Sequence, residues 1–561
     1  MLLGCDFEHL EFGANMATLT LAVVSTLTYY VCWRWSEIAR VRRMAKAGRA
    51  GSSTLPSPVP LLPRWIPMIG GHSLQMETDK FNDQVEGWAE EFGGDYELFL
   101  LGTRVVIVTG TDDARRIHHL RPSKFSRGWF PGQFLRLARN VGLSPSLFFD
   151  EGKEWGRARR LISPALSGHH NVADMVPATT KIAERVCASL GDGAGETVDI
   201  VPTFERYTHD VTALAAFGFD ADSLRATEER PCVSLNAMNK IATAGMALTV
   251  DPLVRLGWSM FPSLLPLARA TKSTSAQLRQ VVQDAIDAVR RPIKDKSGDA
   301  PSSVNGGALL RKLVSVQTDD TSNAVKGVDN RMAFSDEEIV TQVMGLFLAG
   351  SETTARTLSW TLYFLAKNPE MVSRCREEAL RAAPLSDGLV SSMEEAAQLS
   401  FCSAAFKETL RIRPAATVLF LHSTEPFTMK SGLELEAETA FTTLLRYPCQ
   451  SEDAFTRAKE FVPERWIDAE REEALLGKAP AGGNRSTGIV HREEVAQYFG
   501  SGPRKCPGMH MANLEATILI AALCARYDVA LAPDQADPPN EVMRFTTGVT
   551  SLKLVMTRRL A

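Results

Sequence analysis

The sequence predicts a mainly α-helical fold with a smaller β region, preceded by one N-terminal transmembrane helix. Three observations carry this reading. An uncharged run over 13–33 has about the length a helix needs to cross a bilayer. Beyond Gly70-Gly71 the apolar residues recur mostly at helical spacing, broken by short strand-like pieces. Near the C-terminus, Phe499-Gly500-Ser501-Gly502-Pro503-Arg504-Lys505-Cys506-Pro507-Gly508 reads as a buried loop that presents one thiolate to a metal. The expected organisation is an N-terminal segment with its anchor (1–33), a basic then Pro-rich linker (34–70) and one catalytic domain (71–561).

The anchor is justified by its flanks. Asp6, Glu8 and Glu11 precede it, whereas Arg34, Arg40, Arg42, Arg43, Lys46 and Arg49 follow, so the bulk of the chain is expected on the cytosolic side. Tyr29, Tyr30, Trp33 and Trp35 supply an interfacial aromatic belt. A cleaved signal peptide would have a basic leading region, and a transit peptide would be Arg-rich and poor in acids; this segment is neither. Pro56, Pro58, Pro60, Pro63 and Pro67 then favour an extended, semi-rigid spacer.

Composition narrows the function. Apolar content of 45% and charged content of 23% are those of a globular protein, and a formal charge of −4 gives no reason to expect nucleic acid. The nine cysteines are scattered, odd in number and without C-x-x-C spacing, which excludes a disulfide framework and a zinc motif and fits a reducing compartment. His118-His119 and His169-His170 are adjacent pairs whose side chains do not share a face, a poor arrangement for one metal.

Along the chain, Arg104-Val105-Val106-Ile107-Val108-Thr109-Gly110 reads as a strand ended by glycine. Trp155 and Arg159 stand at i, i+4 and offer two donors on one helix face. The polar region 294–330 reads as a loop around one short helix near Leu309–Leu313, and 478–486 as a second polar stretch with an Asn484-Arg485-Ser486 sequon. Ser335-Asp336-Glu337-Glu338 is a capping box that opens a long apolar helix running into Ala349-Gly350-Ser351-Glu352-Thr353-Thr354. A mid-helix glycine costs about 1 kcal/mol relative to alanine, and a local widening of the helix beside a ligand would account for it. Glu408 and Arg411 stand at i, i+3, followed by Pro463-Glu464-Arg465-Trp466. In the cysteine loop, Phe499, Gly502, Arg504, Cys506 and Gly508 at fixed spacing would coincide by chance in roughly one chain of this length in ten thousand.

That loop closely resembles the haem-ligand signature of the cytochrome P-450 family, Phe-x-x-Gly-x-Arg-x-Cys-x-Gly. The 349–354 segment resembles the family's oxygen-activation motif, Glu408 to Arg411 its Glu-x-x-Arg motif, and Trp155 to Arg159 its Trp-x-x-x-Arg motif. All four occur in the family's order. The resemblance implies the P-450 fold and a haem b whose iron is ligated by Cys506, with Arg504, Phe499, Gly508, Trp155 and Arg159 binding the cofactor. It assigns catalysis to Thr353, Glu352 and Cys506, with Thr353 hydrogen-bonding the dioxygen unit and Glu352 relaying protons. Glu408, Arg411 and Arg465 are structural in the family. One position departs from the pattern: where relatives often carry an arginine toward a haem propionate, this chain has His422.

The activity implied is insertion of one oxygen atom from O2 into an apolar small molecule of the fatty acid, sterol or terpenoid class. No flavin or nicotinamide fingerprint is found, so a separate reductase is implied; the resemblance to eukaryotic membrane-bound members implies an NADPH-dependent diflavin reductase, with cytochrome b5 as an optional second donor, at the endoplasmic reticulum membrane. The segment Gly128-Trp129-Phe130-Pro131 with Phe134, Phe148 and Phe149, and the loop Thr546-Thr547-Gly548-Val549, fall where relatives line the substrate pocket. Two other readings are a peroxide-rearranging relative, which needs no proton relay, and a haem sensor or carrier, which needs no acid–hydroxyl pair.

Overall fold

The computed structural model describes residues 55–58, 72, 76–77, 79–100, 103–127, 146–191, 194–250, 266–294, 307–318, 333–452, 454–467, 495–544 and 546–559. The proposed anchor and the 478–486 stretch lie outside the described residues, as does the 128–134 part of the expected pocket lining. Among the described residues no helix is long and apolar enough to cross a membrane.

The main helices are α1 (Phe81–Phe92), α2 (Thr111–His119), α3 (Gly152–Ser167), α4 (Val176–Ser189), α5 (Val201–Val211), α6 (Val233–Val250), α7 (Pro266–Lys294), α8 (Ala308–Thr318), α9 (Asp336–Ala366), α10 (Pro369–Ala382), α11 (Ser400–Ile412) and α12 (Met509–Arg526). The mainly helical expectation and the smaller β region are both met. The short helix foreseen within 294–330 is α8, longer than its Leu309–Leu313 kernel.

Helix α9 organises the rest. Its capping box forms as read: Glu338 N donates to Ser335 Oγ (3.3 Å) and Ser335 N to Glu338 Oε2 (2.8 Å). It is apolar nearly all round, from Ile339 to Ala366, because it is buried among α5, α7, α11 and α12. Helix α12, buried at every position from Leu514 to Ala525, is the second buried axis.

One sheet runs in the order β1 (Tyr96–Leu100), β2 (Thr103–Val108), β8 (Ala440–Leu444), β5 (Val418–Ser423), β3 (Phe125–Ser126). Only β2 and β8 are parallel, with Val105 opposite Ala440. The β3–β5 pair places Ser126 opposite His422. A second sheet joins β4 (Ala194–Asp199), β12 (Lys553–Arg558) and β9 (Tyr527–Leu531); β10 (Glu541–Met543) with β11 (Thr547–Val549) and β6 (Phe427–Thr428) with β7 (Glu434–Leu435) are two further hairpins. The start of the Pro-rich spacer is tied to the first sheet, since Glu97 N donates to Pro56 O (3.0 Å) and His72 Nε2 lies 2.9 Å from Pro58 O.

The Glu408 cluster is wholly buried. Arg411 makes a two-pronged pair with Glu408 (2.9 and 2.7 Å), Arg465 Nε adds a third contact (3.1 Å) and Trp466 Nε1 a fourth (2.9 Å). Arg411 Nη1 also donates to the carbonyls of Cys449 and Ala458, each at 2.6 Å. Burial alone would raise the Glu408 pKa, but Arg411 and Arg465 outweigh it and hold the carboxyl below its ordinary 4.5. The stability this contributes is complete at neutral pH and lost as pH falls through the folded value. Glu408→Gln, which leaves two buried guanidiniums short of charge, is expected to cost about 3–5 kcal/mol. A calorimetric unfolding midpoint unchanged in that variant would show that the cluster does not hold the fold.

Candidate functional site

The cysteine loop owes its shape to two glycines. Gly500 and Gly502 have φ of 70° and 66°, the left-handed region that a Cβ disfavours. At Gly502 a Cβ would stand 2.6 Å from the carbonyl oxygen of His118, so the loop packs directly on the end of α2. His118 braces it from below: its Nδ1 lies 2.8 Å from Gln497 Oε1, its Nε2 3.1 Å from Thr443 Oγ1, and Gln497 O accepts from Gly500 N (2.6 Å). Burial drives the His118 pKa down to about 4, so the brace is a neutral imidazole. The histidine pair considered for metal thus has a polar, supporting role at this position.

Cys506 N donates to Phe499 O (2.8 Å), which folds the loop back on itself. Cys506 is accessible, whereas Cys187, Cys375, Cys402, Cys449 and Cys524 are buried and Cys232 is half-buried. Its sulfur is nevertheless recessed: desolvation raises the thiol pKa against the opposing pull of the Gly508 N–H, Arg159, Lys505 and the Met509 N–H. The cations acting on the sulfur are therefore led by Arg159, from α3. Arg504, two residues before the sulfur, turns its Nη2 to Asp150 O (2.6 Å) and to Glu151.

Arg504 belongs to a cluster that sequence reasoning only half foresaw. Its guanidinium carbon lies 4.5 Å from the Trp155 ring centre, so the Trp155 face is a shelf for it. Arg127 stacks at 3.7 Å on Phe148, and its backbone N–H donates to Glu151 Oε1 (3.0 Å). Phe148, expected along the substrate pocket, thereby carries a cation. Arg121 is 4% exposed. Burial, with the charges of Arg121 and Arg504, lowers Arg127 well below the ordinary arginine value, and burial with the charge of Arg504 lowers Arg121 to about 10. Burial likewise lowers Arg504, with Glu151 opposing.

Among the described residues, five buried nitrogens of these three side chains have no hydrogen-bond partner: Nε and Nη2 of Arg121, Nε of Arg127, and Nε and Nη1 of Arg504. Three guanidiniums around Glu151 leave both charge and donors in excess. Such a set is costly unless an anion completes it. The two carboxylates of a haem fit that need, and Gly508, whose added Cβ would meet the Cys506 sulfur at 3.9 Å, keeps the sulfur's surroundings open. No sequence motif pointed to Arg121 or Arg127; their signal is the unbalanced charge, which appears only in three dimensions. His422 lies beside this cluster through strand pairing, its ring nitrogens 2.8 and 3.2 Å from Ser126 Oγ, one residue before Arg127.

On α9, three consecutive residues face three surroundings. Glu352 accepts from Thr546 Oγ1 (2.8 Å), lies 3.9 Å from Arg356 Nε, and lines a cavity of about 490 Å³ together with Glu205, Arg356, Arg544 and the α6 residues Leu235 and Met238. Arg356 also reaches Glu205 (3.3 Å) and Val549 O (2.7 Å). The Thr546–Val549 loop is thus fastened to α9. Thr353 Oγ1 donates to Ala349 O (2.7 Å), so its hydroxyl proton is engaged and its lone pairs remain to accept. Thr354 turns into the core, 3% exposed. The widening expected at Gly350 is absent: α9 is regular throughout, and Gly350 instead admits Thr212, whose Oγ1 would stand 2.9 Å from an added Cβ. The π-helical turn lies in that partner, at Thr212–Ala216.

A family model described as Cytochrome P450 matches residues 60–556. "Putative cytochrome P450 CYP13A3" of Caenorhabditis elegans is 24% identical, over 96% of this chain and 97% of its own length. "Protein LUTEIN DEFICIENT 5, chloroplastic" of Arabidopsis thaliana is 25% identical, over 83% of this chain and 72% of its own. "11-oxo-beta-amyrin 30-oxidase" of Medicago truncatula is 25% identical, over 81% and 78% respectively. With a match that runs from the Pro-rich segment into the last strand and takes in every motif described above, the chain belongs to the cytochrome P450 family: it is an oxygenase, and the family brings with it a haem held by a cysteine thiolate.

Proposed function

We propose that this protein is a membrane-anchored haem-thiolate monooxygenase that inserts one oxygen atom from O2 into an apolar substrate of the terpenoid class, within the wider fatty acid, sterol and terpenoid range. The observation that carries it is the accessible Cys506 beside an excess of buried guanidinium donors. The terpenoid preference draws on the relative named for 11-oxo-beta-amyrin and on the Leu235, Met238 and Leu348 wall of the cavity at Glu352. Electrons are assigned to a separate NADPH-dependent diflavin reductase, with cytochrome b5 as a second donor. The anchor over 13–33 would hold the catalytic domain on the cytosolic face of the endoplasmic reticulum.

The residues divide the work. Haem b bound through a thiolate supplies the activation of O2, one atom going to substrate and the other leaving as water. Cys506 is its ligand, with the Gly508 and Met509 N–H groups orienting the sulfur. Arg504, Arg121 and Arg127 would take the propionates, helped by Trp155, Arg159 and His422, while Phe499 and Gly508 shape the sulfur's side. Thr353 Oγ1, its proton held by Ala349 O, is arranged to accept a hydrogen bond from the reacting oxygen unit. Glu352 faces the cavity that Glu205 and Arg356 also line, and can pass solvent protons inward by reorienting away from Thr546.

The ligation is tested by the reduced carbon-monoxide difference spectrum: a strongly red-shifted Soret band is expected, absent in Cys506→Ala, and its absence from haem-supplied wild type would sink the reading. Thr353→Ala should keep that band but lower product formed per electron several-fold, the difference emerging as hydrogen peroxide; unchanged coupling would remove Thr353 from the proton step. Arg127→Met should release haem to an apo-globin acceptor roughly tenfold faster, equivalent to about 1.4 kcal/mol. A release rate equal to wild type would mean that Arg127 makes no contact with the cofactor.

A further inference from the structure

Glu515 is a buried acid that the reading above leaves unused. It stands on α12, six residues past the start of the helix that follows the cysteine loop, about 9 Å along its axis. It is 2% exposed. Its Oε2 has no hydrogen-bond partner among the described residues, while the Thr354 hydroxyl on α9 favours the charged form of its carboxyl. Its backbone carbonyl accepts from Tyr207 Oη (2.8 Å), so α5, α9 and α12 meet at this one residue. An ionised carboxylate here would be a second negative charge on the helix that follows the Cys506 loop, with no cation to offset it.

The groups that face it are neutral. From α9 it meets the Thr354 hydroxyl, and from α5 the Tyr207 phenol, which burial raises well above its ordinary value; beyond Tyr207, on α4, the Cys187 thiol is raised by burial too. Among the described residues no charged side chain acts on the carboxyl: burial pushes it up to about 8 and the Thr354 hydroxyl pulls it partly back. At neutral pH it therefore keeps its proton. Thr354 stands two positions from Glu352, some 200° around α9, so this acid and the cavity-facing one lie on opposite sides of the helix.

We propose that Glu515 is a positioning residue that sets how readily the haem centre accepts its first electron: while protonated it spares the thiolate a neighbouring charge, and when ionised it must regain a proton as the electron arrives. The proposal rests on the haem-thiolate reading. Its balance is simple. One electron from an external low-potential donor reduces the ferric centre, one proton from solvent converts the Glu515 carboxylate to the acid, and no bond to iron is made or broken. Because reduction adds negative charge, an ionised Glu515 disfavours it, and the midpoint potential falls as pH rises through the acid's titration.

The test is a spectroelectrochemical titration of the full-length, haem-loaded protein in detergent, from about pH 6 to about pH 10. Wild type should hold a level midpoint in the lower range and decline above about 8. Glu515→Gln, which keeps the size and an acceptor for Thr354, should stay level throughout. Thr354→Val removes the hydroxyl that favours the carboxylate, so its decline should begin at higher pH. A decline that survives in Glu515→Gln, or a level wild type, overturns the proposal. Should Glu515→Gln yield no folded protein, the Thr354→Val displacement decides, and an unmoved onset counts against it. A normal carbon-monoxide band with a level midpoint overturns this inference alone, whereas loss of the band in wild type overturns it together with the haem reading.

Discussion

The buried charge on Glu408 is the constraint from which the catalytic loop hangs. Its carboxylate takes the Trp466 indole N–H along with Arg411 and Arg465. Trp466 in turn meets Tyr498 edge to face at 5.9 Å, and Tyr498 meets Phe499 at 5.3 Å. Phe499 O then receives the amide of Cys506. A second strand of the same tether runs from Arg411 through the carbonyl of Cys449, whose sulfur lies 3.2 Å from Ala496 O, just ahead of the loop. The cluster touches no substrate, yet each step from it to the sulfur is a directional contact. A Gly-rich loop keeps one shape only because something rigid holds the segment that leads into it.

Charge in this protein is arranged in two opposite ways. Around Glu408 and around Arg446, which is 2% exposed and bound by Glu86 (2.7 and 2.8 Å) and Glu541 (2.7 Å), buried guanidiniums are met by carboxylates and the core is closed. Around Glu151 a single carboxylate, paired with Arg504, faces three of them. Arg121, Arg127 and Arg504 repel one another and leave donors unused. The first arrangement is electrostatically closed, and the second leaves buried charge that a bound anion would offset.

Much of the fold was legible because it is written in local rules. The Ser335 capping box and the i, i+3 pairing at Glu408 depend on residues close in sequence and formed as read, and the strand read over 104–110 formed as Thr103–Val108. The cysteine loop was legible as a spacing of special residues. What escaped depends on distant segments meeting. Arg127 follows a two-residue strand that owes its existence to pairing with β5. His118 supports a loop nearly four hundred positions away, and Glu515 is an ordinary helix residue until α9 is packed over it. The departure at His422 shows the same limit: the sequence exposed a missing arginine on β5, but only the β3–β5 register reveals an arginine one residue beyond His422's partner.

Gly350 shows why the regularity of α9 matters more than a local widening would. At 100° per residue, Glu352 lines the cavity, Thr353 turns its hydroxyl to Ala349 O and Thr354 enters the core. A π-bulge inserted just before them would rotate all three by about a full step, exchanging the cavity acid for a threonine and burying a carboxylate. The irregular turn sits in the neighbouring segment instead, at Thr212–Ala216, where Thr212 reaches back to Thr208 O (2.8 Å) and Thr208 Oγ1 donates to Ser351 O (2.6 Å). Gly350 is the gap that lets this segment approach. The glycine thus keeps the helix straight by allowing its partner to bend, and Glu352, Thr353 and Thr354 keep three separate faces.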